Sequence, residues 1–184
     1  MNNVSLEPIT MHDFNNIKKL TLNIDVMKYV YQSTVWNEQR VTKYIQYCIE
    51  DNKKSDNTRT FYSYKIVANI NGRNYFVGII EYKPTTYYAN AKFYNNIPKN
   101  FKTDVVLTIL LLPNFQNKGI GNKAINLLKE SIKIHKPHVK YLLSFVIISN
   151  AKMLHVMQKY NFKFIKYLQG LKEKNALFVQ EINK

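Results

Sequence analysis

The sequence has 184 residues, of which 27 are Lys or Arg and 12 are Asp or Glu, so the net charge is +15. A hydrophobic fraction of 46% excludes a disordered chain and predicts a single globular domain over residues 1–184. The charge alone suggests nucleic acid, an anionic membrane or an acidic small molecule as a partner. However, Lys outnumbers Arg by 24 to 3, and Lys, Asn, Ile and Tyr, which have AT-rich codons, fill 80 positions. We therefore attribute much of the charge to an AT-rich genome and do not expect nucleic acid as a partner.

Cysteine use and hydropathy indicate the compartment. Cys48 is the only cysteine of the sequence, which excludes an intrachain disulfide and fits a reducing environment. The longest apolar runs, 105–113 and 141–148, are far shorter than the about 20 residues that a membrane-crossing helix needs. The first residues lack the basic start and apolar stretch of a signal peptide. We expect a cytoplasmic protein with no membrane contact.

In chain order, the first predicted elements are a strand over residues 4–9 and two helices. Thr10 and Asp13 have the spacing of a capping box at the start of the first helix. The predicted inner face of that helix comprises Phe14, Ile17, Leu20 and Ile24. The second helix begins at Asn37, and its predicted inner face comprises Val41, Tyr44, Ile45, Cys48 and Ile49. The polar stretch 51–57 then predicts a solvated loop.

The middle of the chain changes to the alternating pattern of strands. Strands over 61–70 and 75–82 are predicted to form a hairpin, because Asn71-Gly72 between them is a strong turn signal. Residues 84–103 are rich in aromatic side chains and show no periodicity. A connection of this length is either functional, as a lid over an acceptor site, or contains a short element. We leave both interpretations open.

The remaining elements alternate between strands and helices. Strands are predicted over 105–112, 141–148, 162–168 and 176–182, and helices over 119–135 and 150–160. The predicted inner face of the longer helix comprises Ile125, Leu127, Leu128 and Ile132. This order predicts a mixed α/β (α+β) fold with a central sheet of six to seven strands and about four helices. The two most apolar strands, 105–112 and 141–148, should lie buried in the centre of the sheet.

The most informative segment is 110–121, which reads Leu-Leu-Leu-Pro-Asn-Phe-Gln-Asn-Lys-Gly-Ile-Gly. A strand ends before Pro113, a loop follows, and a helix begins, so backbone N–H groups and a helix dipole face any anion bound there. Gly119 and Gly121 permit close approach of a ligand to the backbone. The segment lacks the third glycine of a dinucleotide loop and the Gly-Lys-Ser/Thr of a Walker loop. It predicts a phosphate-binding site of another kind.

This segment resembles the acyl-CoA loop of the GCN5-related N-acetyltransferase (GNAT) superfamily. That loop reads Gln/Arg-x-x-Gly-x-Gly/Ala with a proline three residues before the Gln/Arg, and Pro113, Gln116, Gly119 and Gly121 match it.

Further segments extend the resemblance over residues 5–168. Family members follow the next strand with an Asn and a short helix that ends in Gly-Phe; here Asn150 opens that helix and Asn161 replaces the glycine. Asn tolerates the left-handed conformation better than other non-glycine residues. Residues 25–30 and 77–79 resemble the ribosomal-protein alanine acetyltransferase (RimJ/RimL-like) branch.

The resemblance implies a mostly antiparallel sheet with splayed fourth and fifth strands, and acetyl-CoA as co-substrate without a metal. The pantetheine arm would pair with the fourth strand and the pyrophosphate with the loop amides, while Asn150 would contact the arm from its other side. The implied cofactor-binding residues are Ile109, Leu110, Leu111, Gln116, Asn117, Lys118, Gly119, Ile120, Gly121, Asn122, Asn150 and Lys152. A primary amine, such as a protein N-terminus, would attack the thioester directly in a ternary complex, and a backbone N–H near Leu111 would meet the oxyanion.

The resemblance does not extend to the acid and the base. Met157 stands where many family members have a tyrosine as general acid, and Val106 where the resembling branch often has a glutamate. Tyr160 is a substitute acid, although a tyrosine in that helix is more often part of the core. Glu81 and Asp104 are candidate bases that act through water, although a solvated carboxylate at a strand end is the commoner role for each.

Two other functions stay open at this point. A noncatalytic acyl-CoA-binding or regulatory module is suggested by Met157 and Val106, and a basic RNA- or ribosome-associated protein by the charge. The four histidines show no metal-ligand spacing. The net positive charge disfavours polycationic acceptors such as spermidine or aminoglycosides. We expect a monomer or a homodimer.

Overall fold

A computed structural model describes residues 3–30, 34–88, 96–170 and 173–182. The strands of this part are β1 (Asn3–Pro8), β2 (Tyr62–Ile70), β3 (Arg73–Pro84), β4 (Val105–Leu111), β5 (Tyr141–Ile147), β6 (Lys163–Gln169) and β7 (Lys174–Glu181). The α-helices are α1 (Phe14–Leu22), α2 (Ile24–Met27), α3 (Glu38–Asn52), α4 (Ile120–His135) and α5 (Ala151–Lys159).

The seven described strands form one sheet in the order β1-β2-β3-β4-β5-β7-β6. Strands β4 and β5 run parallel, whereas β1–β2, β5–β7 and β6–β7 are antiparallel pairs. Strands β4 and β5 have 7 residues each, but they pair at only two positions, Val105↔Leu142 and Val106↔Leu143. The predicted mixed, mostly antiparallel sheet with splayed fourth and fifth strands is confirmed.

The chain divides into two compact units. The first comprises Met1–Glu81 and Thr108–Ser131, and the second Tyr82–Leu107 and Ile132–Lys184. The core of the first unit includes buried side chains from α1, α3, β3 and β4, namely Ile17, Leu20, Val41, Ile45, Cys48, Ile79 and Leu110. The core of the second includes Ile97, Phe101, Val106, Leu143, Leu168, Leu177 and Val179.

Side-chain caps begin several of the described helical segments. The Asp13 carboxylate accepts the Thr10 N–H at 2.8 Å, which confirms the predicted capping box. Asn37 begins α3 and Asn150 begins α5, each accepting the N–H three residues ahead, at 2.9 and 3.1 Å. These helices therefore start where the sequence places a short polar side chain before an apolar face.

Left-handed residues make two of the predicted turns. Asn71 and Gly72 have φ of 51° and 81°, which fits the twist of the β2–β3 hairpin. Asn161 has φ of 61° between α5 and β6, in the position where the resemblance implies a glycine. Asparagine is adequate at that position because it tolerates this conformation.

Two side chains predicted to face inward are exposed. Ile24 is 70% exposed, because α1 ends at Leu22 and Asn23 begins the separate helix α2 by accepting the Val26 N–H. Leu127 is 39% exposed and lies on the outer side of α4. In each of these two helices, the apolar periodicity predicts one residue more on the buried face than the structure has there.

The prediction of a solvated loop over 51–57 is wrong at its first two residues, Asp51 and Asn52, because α3 extends to Asn52. Asp51 lies in α3 and is fully buried. Its carboxylate accepts the Phe61 N–H at 2.8 Å and pairs with Lys54 at 2.7 Å. A buried carboxylate needs such partners to offset its lost hydration.

Residues 84–103 contain short 3₁₀ helices at Thr85–Tyr88 and Lys99–Phe101, which confirms that this connection hides short elements. Phe93 and Tyr94, part of the predicted lid, lie outside the described residues. Within the described part of the chain, no helix has the length and apolar run needed to cross a membrane.

Candidate functional site

The loop between β4 and α4 has an unusual backbone. Pro113–Phe115 forms a 3₁₀ turn after β4, and α4 begins at Ile120. Asn117 and Gly119 have φ of 59° and 73°, whereas Lys118 between them stays outside the positive-φ region. Alternation of left-handed residues with others turns successive N–H groups toward one side, which is the geometry of anion-binding loops. The first N–H groups of α4, a helix of 16 residues, have no partner within the helix and add to the positive potential there.

Gln116, the first residue of the motif, holds this loop to the end of the strand. Its side-chain Nε2 donates to the Leu111 carbonyl at 3.0 Å. Its backbone N–H donates to the Pro113 carbonyl at 3.1 Å, closing the 3₁₀ turn. The motif predicted Gln116 as a cofactor-binding residue, and the contacts add a role in shaping the loop that sequence reasoning missed.

The two motif glycines meet different requirements. A Cβ on Gly119 would meet no atom within 4 Å, so glycine is favoured there by its positive φ. A Cβ on Gly121 would lie 3.3 Å from Leu111 Cδ1 and 3.8 Å from Ile109 Cδ1. Gly121 therefore lets α4 pack closely against the side chains of β4.

The peptide groups of β4 alternate between two directions. The Leu112 N–H donates to the Val77 carbonyl of β3 at 2.9 Å. A Cβ on Gly78 would lie 2.0 Å from the Leu110 carbonyl oxygen, which shows that this group also faces β3. Because neighbouring residues of a strand direct their peptide groups to opposite edges, those of Ile109 and Leu111 face away from β3.

The other predicted cofactor-binding residues have varied surroundings. Leu110 and Ile120 are buried, at 8% and 1% exposure, and Asn122 is half-buried in the first turn of α4. In the second unit, Asn150 uses its side-chain oxygen to cap α5, and Lys152 lies exposed on that helix.

Asp104, a candidate base, is buried at 2% exposure, so the expectation of a solvated carboxylate is wrong. Its Oδ1 accepts the N–H groups of Lys140 and Tyr141, both at 2.9 Å. Burial raises the pKa of this carboxyl, against the opposing effect of the two backbone N–H groups. Asp104 links the residues just before β4 to the start of β5.

Glu81, the other candidate base, is also buried, at 6% exposure, so the same expectation is wrong for it. The Tyr44 hydroxyl of α3 donates to Glu81 Oε2 at 3.3 Å and lies 2.7 Å from Ser63 Oγ of β2. Burial, and after it the charge of Glu81, raises the pKa of Tyr44 well above its ordinary value. Sequence reasoning placed Tyr44 on the inner face of its helix but assigned no function to Tyr44 or Ser63.

The residues that replace the family's acid and base are core residues. Val106 is 2% exposed and Met157 is 0% exposed. Tyr160 is half-buried at the end of α5, where its backbone carbonyl accepts Gln180 Nε2 at 2.9 Å. Among the described residues, no group of three or more His, Cys, Asp or Glu side chains could hold a metal ion.

The anion-binding loop at the end of β4 is typical of a protein that binds a phosphate-containing co-substrate. Comparison of the sequence with family profiles shows that the chain belongs to the GNAT acetyltransferase family. The profile described as "Acetyltransferase (GNAT) domain" matches residues 3–163. No curated protein matches the sequence.

Solved structures share the fold at low sequence identity. An aminoglycoside acetyltransferase, AAC(6')-Ib, in complex with coenzyme A matches with a TM-score of 0.71 and 14% identity over 97% of this chain and 95% of that one. The spermidine N-acetyltransferase of Vibrio cholerae, in complex with CoA and spermine, matches with a TM-score of 0.68 and 15% identity over 97% and 95%. An acetyltransferase of Thermus thermophilus matches with a TM-score of 0.65 and 16% identity over 97% of each chain.

Proposed function

We propose that residues 1–184 form a single acetyl-CoA-dependent N-acetyltransferase domain. The observation that carries this proposal is the loop 113–121, which combines the family's sequence motif with two left-handed residues at the start of a long helix. Membership of the GNAT family and structural neighbours that hold CoA support it.

In this proposal the loop and the adjacent strand hold the co-substrate. The backbone N–H groups of residues 117–121 bind the pyrophosphate, and the exposed Lys118 adds positive charge. The peptide groups of Ile109, which face away from β3, pair with the pantetheine arm. The Leu111 carbonyl faces the same way and has a second lone pair for the arm beside the bond that it accepts from Gln116 Nε2. Leu110, Asn122, Asn150 and Lys152 remain cofactor contacts predicted from the resemblance.

The proposed reaction is a direct transfer. The acceptor ammonium loses a proton to a base, and the free amine nitrogen then attacks the thioester carbonyl carbon, so that a C–N bond forms. The Leu111 N–H stabilises the resulting oxyanion, and collapse breaks the C–S bond to release CoA thiolate, while the nitrogen gives its second proton to solvent to leave the amide. We assign the base to Glu81, since the Asp104 carboxylate already accepts two backbone N–H groups. Tyr160 remains the predicted proton donor to the thiolate.

For the acceptor, we propose a protein N-terminal amine. The resemblance of residues 25–30 and 77–79 to the ribosomal-protein alanine acetyltransferase branch supports this choice. The Vibrio cholerae enzyme holds spermine, a polycation, in its structure. Our chain has a net charge of +15, which repels such acceptors and favours a substrate with a single amine.

Titration with acetyl-CoA, followed by CoA release with a panel of N-terminal peptides and small amines, tests the proposal. The loop is probed by Gly119→Ala, with Gly72→Ala as its matched control, because both glycines have positive φ and open space around the added methyl. We expect acetyl-CoA affinity to fall at least about tenfold in Gly119→Ala only, since the altered loop misdirects its N–H groups. Equal effects of both substitutions would contradict the loop assignment. Binding without CoA release over the whole panel would instead indicate a noncatalytic acyl-CoA-binding module.

A further inference from the structure

Three polar side chains, two of them buried, join three elements of the first unit, and we name them the Tyr44 cluster. It comprises Tyr44 of α3, Ser63 of β2 and Glu81 of β3. Ser63 is 1% exposed and Glu81 is 6% exposed. A carboxylate in such a place is costly unless polar groups solvate it, so its partners decide whether it is tolerated.

Aromatic neighbours hold the Tyr44 ring in place. The ring centroid lies 5.1 Å from that of Trp36 and 6.0 Å from that of Phe61. On the same helix, Val41 and Ile45 are fully buried, which fixes the face of α3 that carries Tyr44. The position of the hydroxyl is therefore set by the packing of the ring against Trp36 and Phe61 and by the position of α3.

The chemistry of the groups gives these hydrogen bonds a direction. An ionised carboxylate can only accept, and a tyrosine hydroxyl has a single proton. Tyr44 therefore donates to Glu81, and Ser63 donates to Tyr44. Among the described residues, Glu81 from β3 and Cys48 from its own helix act on the Tyr44 hydroxyl, and burial keeps this hydroxyl protonated as a donor.

The position of Glu81 on β3 relates the cluster to the proposed co-substrate site. Because Gly78 lies against Leu111 and the Val77 carbonyl accepts the Leu112 N–H, β3 and β4 run antiparallel. Continuing this register places Glu81 opposite Thr108, on the strand that also carries Ile109 and Leu111. The carboxylate thus belongs to the strand next to the peptide groups that we assign to pantetheine.

We propose that Tyr44 is a positioning residue for Glu81, holding the carboxylate by its hydroxyl so that Glu81 accepts, through a water, the proton of the acceptor ammonium. The inference rests on the proposed function. In this step R–NH₃⁺ becomes R–NH₂ and Glu81 becomes a neutral acid. The free amine then forms the C–N bond, and the C–S bond breaks when the oxyanion collapses. Ser63 supports the arrangement by donating to the oxygen of Tyr44.

The test compares Tyr44→Phe with Tyr47→Phe, its matched control. Tyr47 lies on the same helix and its ring also packs against Phe61, at 5.1 Å, but its side chain is 40% exposed. Loss of the hydrogen bond makes the ionised carboxylate less favourable, so the acid limb of kcat/KM against pH should move up by about one pH unit in Tyr44→Phe. We expect kcat at neutral pH to fall about tenfold with the acetyl-CoA Kd unchanged. Tyr47→Phe should match the wild type in the position of the acid limb and in kcat.

Ser63→Ala keeps the test decisive if Tyr44→Phe folds poorly. It removes the more distant hydroxyl and should move the acid limb in the same direction by a smaller amount. An active wild type whose acid limb stays fixed in both cluster variants would overturn the inference while the proposed function stands. A wild type that binds acetyl-CoA but acetylates no amine would overturn the proposed function, and the inference with it.

Discussion

Glu81 and Asp104 are both buried carboxylates on or beside the central strands, one in each compact unit, yet they have different hydrogen-bond partners. Asp104 accepts two backbone N–H groups at 2.9 Å from the residues that lead into β5. Glu81 accepts the hydroxyl of Tyr44, a side chain brought in from α3. We therefore propose that the backbone donors hold Asp104 as part of the fold, and that the Tyr44 side chain orients Glu81 for the reaction. Burial alone does not separate the two roles.

The largest expected effect is on catalysis, from Glu81→Gln. We expect kcat/KM for the best acceptor to fall about 100-fold or more, because a glutamine cannot take the proton of the ammonium. Steady-state kinetics across pH, with the acetyl-CoA Kd measured by titration and unchanged, check this. Asp104→Asn is the counterpart and should stay within about threefold of the wild type. A reversal of the two results would make Asp104 the base.

The next effect is on stability, from Asp104→Ala. We expect the free energy of unfolding to fall by about 3 kcal/mol, because two buried N–H groups lose their acceptor. Urea unfolding followed by circular dichroism measures it. Asp25→Ala is the control, since its side chain is 73% exposed and pairs with Lys28 on the surface, where such pairs contribute about 0–1 kcal/mol. Equal losses of unfolding free energy in the two variants would contradict a structural role of Asp104.

The smallest effect is a pH dependence of stability at Asp104. Because the pKa of this carboxyl is raised in the folded state, the native protein holds its proton over a pH range in which the unfolded chain has lost it. The contribution of Asp104 to the free energy of unfolding is therefore fully present below the ordinary carboxyl pKa. It is lost as pH rises through the raised pKa. The unfolding free energy of the wild type minus that of Asp104→Asn should fall as pH rises from below the ordinary carboxyl pKa through the raised value. A difference that rises with pH would contradict the raised pKa.

Local signals predicted much of the fold and part of the candidate site. Asn37 and Asn150 marked helix starts because a capping side chain acts on an N–H three residues away. Asn71-Gly72 marked the hairpin because the turn needs positive φ at both residues. Ile24 and Leu127 were placed wrongly because periodicity does not show where a helix stops or how wide its buried face is.

The sequence by itself determined the order of elements, the loop motif at 113–121 and the family that this motif indicates. These features depend on residues close together in the chain, and for such residues the spacing in the sequence determines their relative positions in space. The tertiary structure alone decided the surroundings of Glu81, Asp104 and Asp51, which the sequence presented as exposed carboxylates. Their partners lie 37, 36 and 10 residues away in the chain, so that only packing of the elements brings donor and acceptor together.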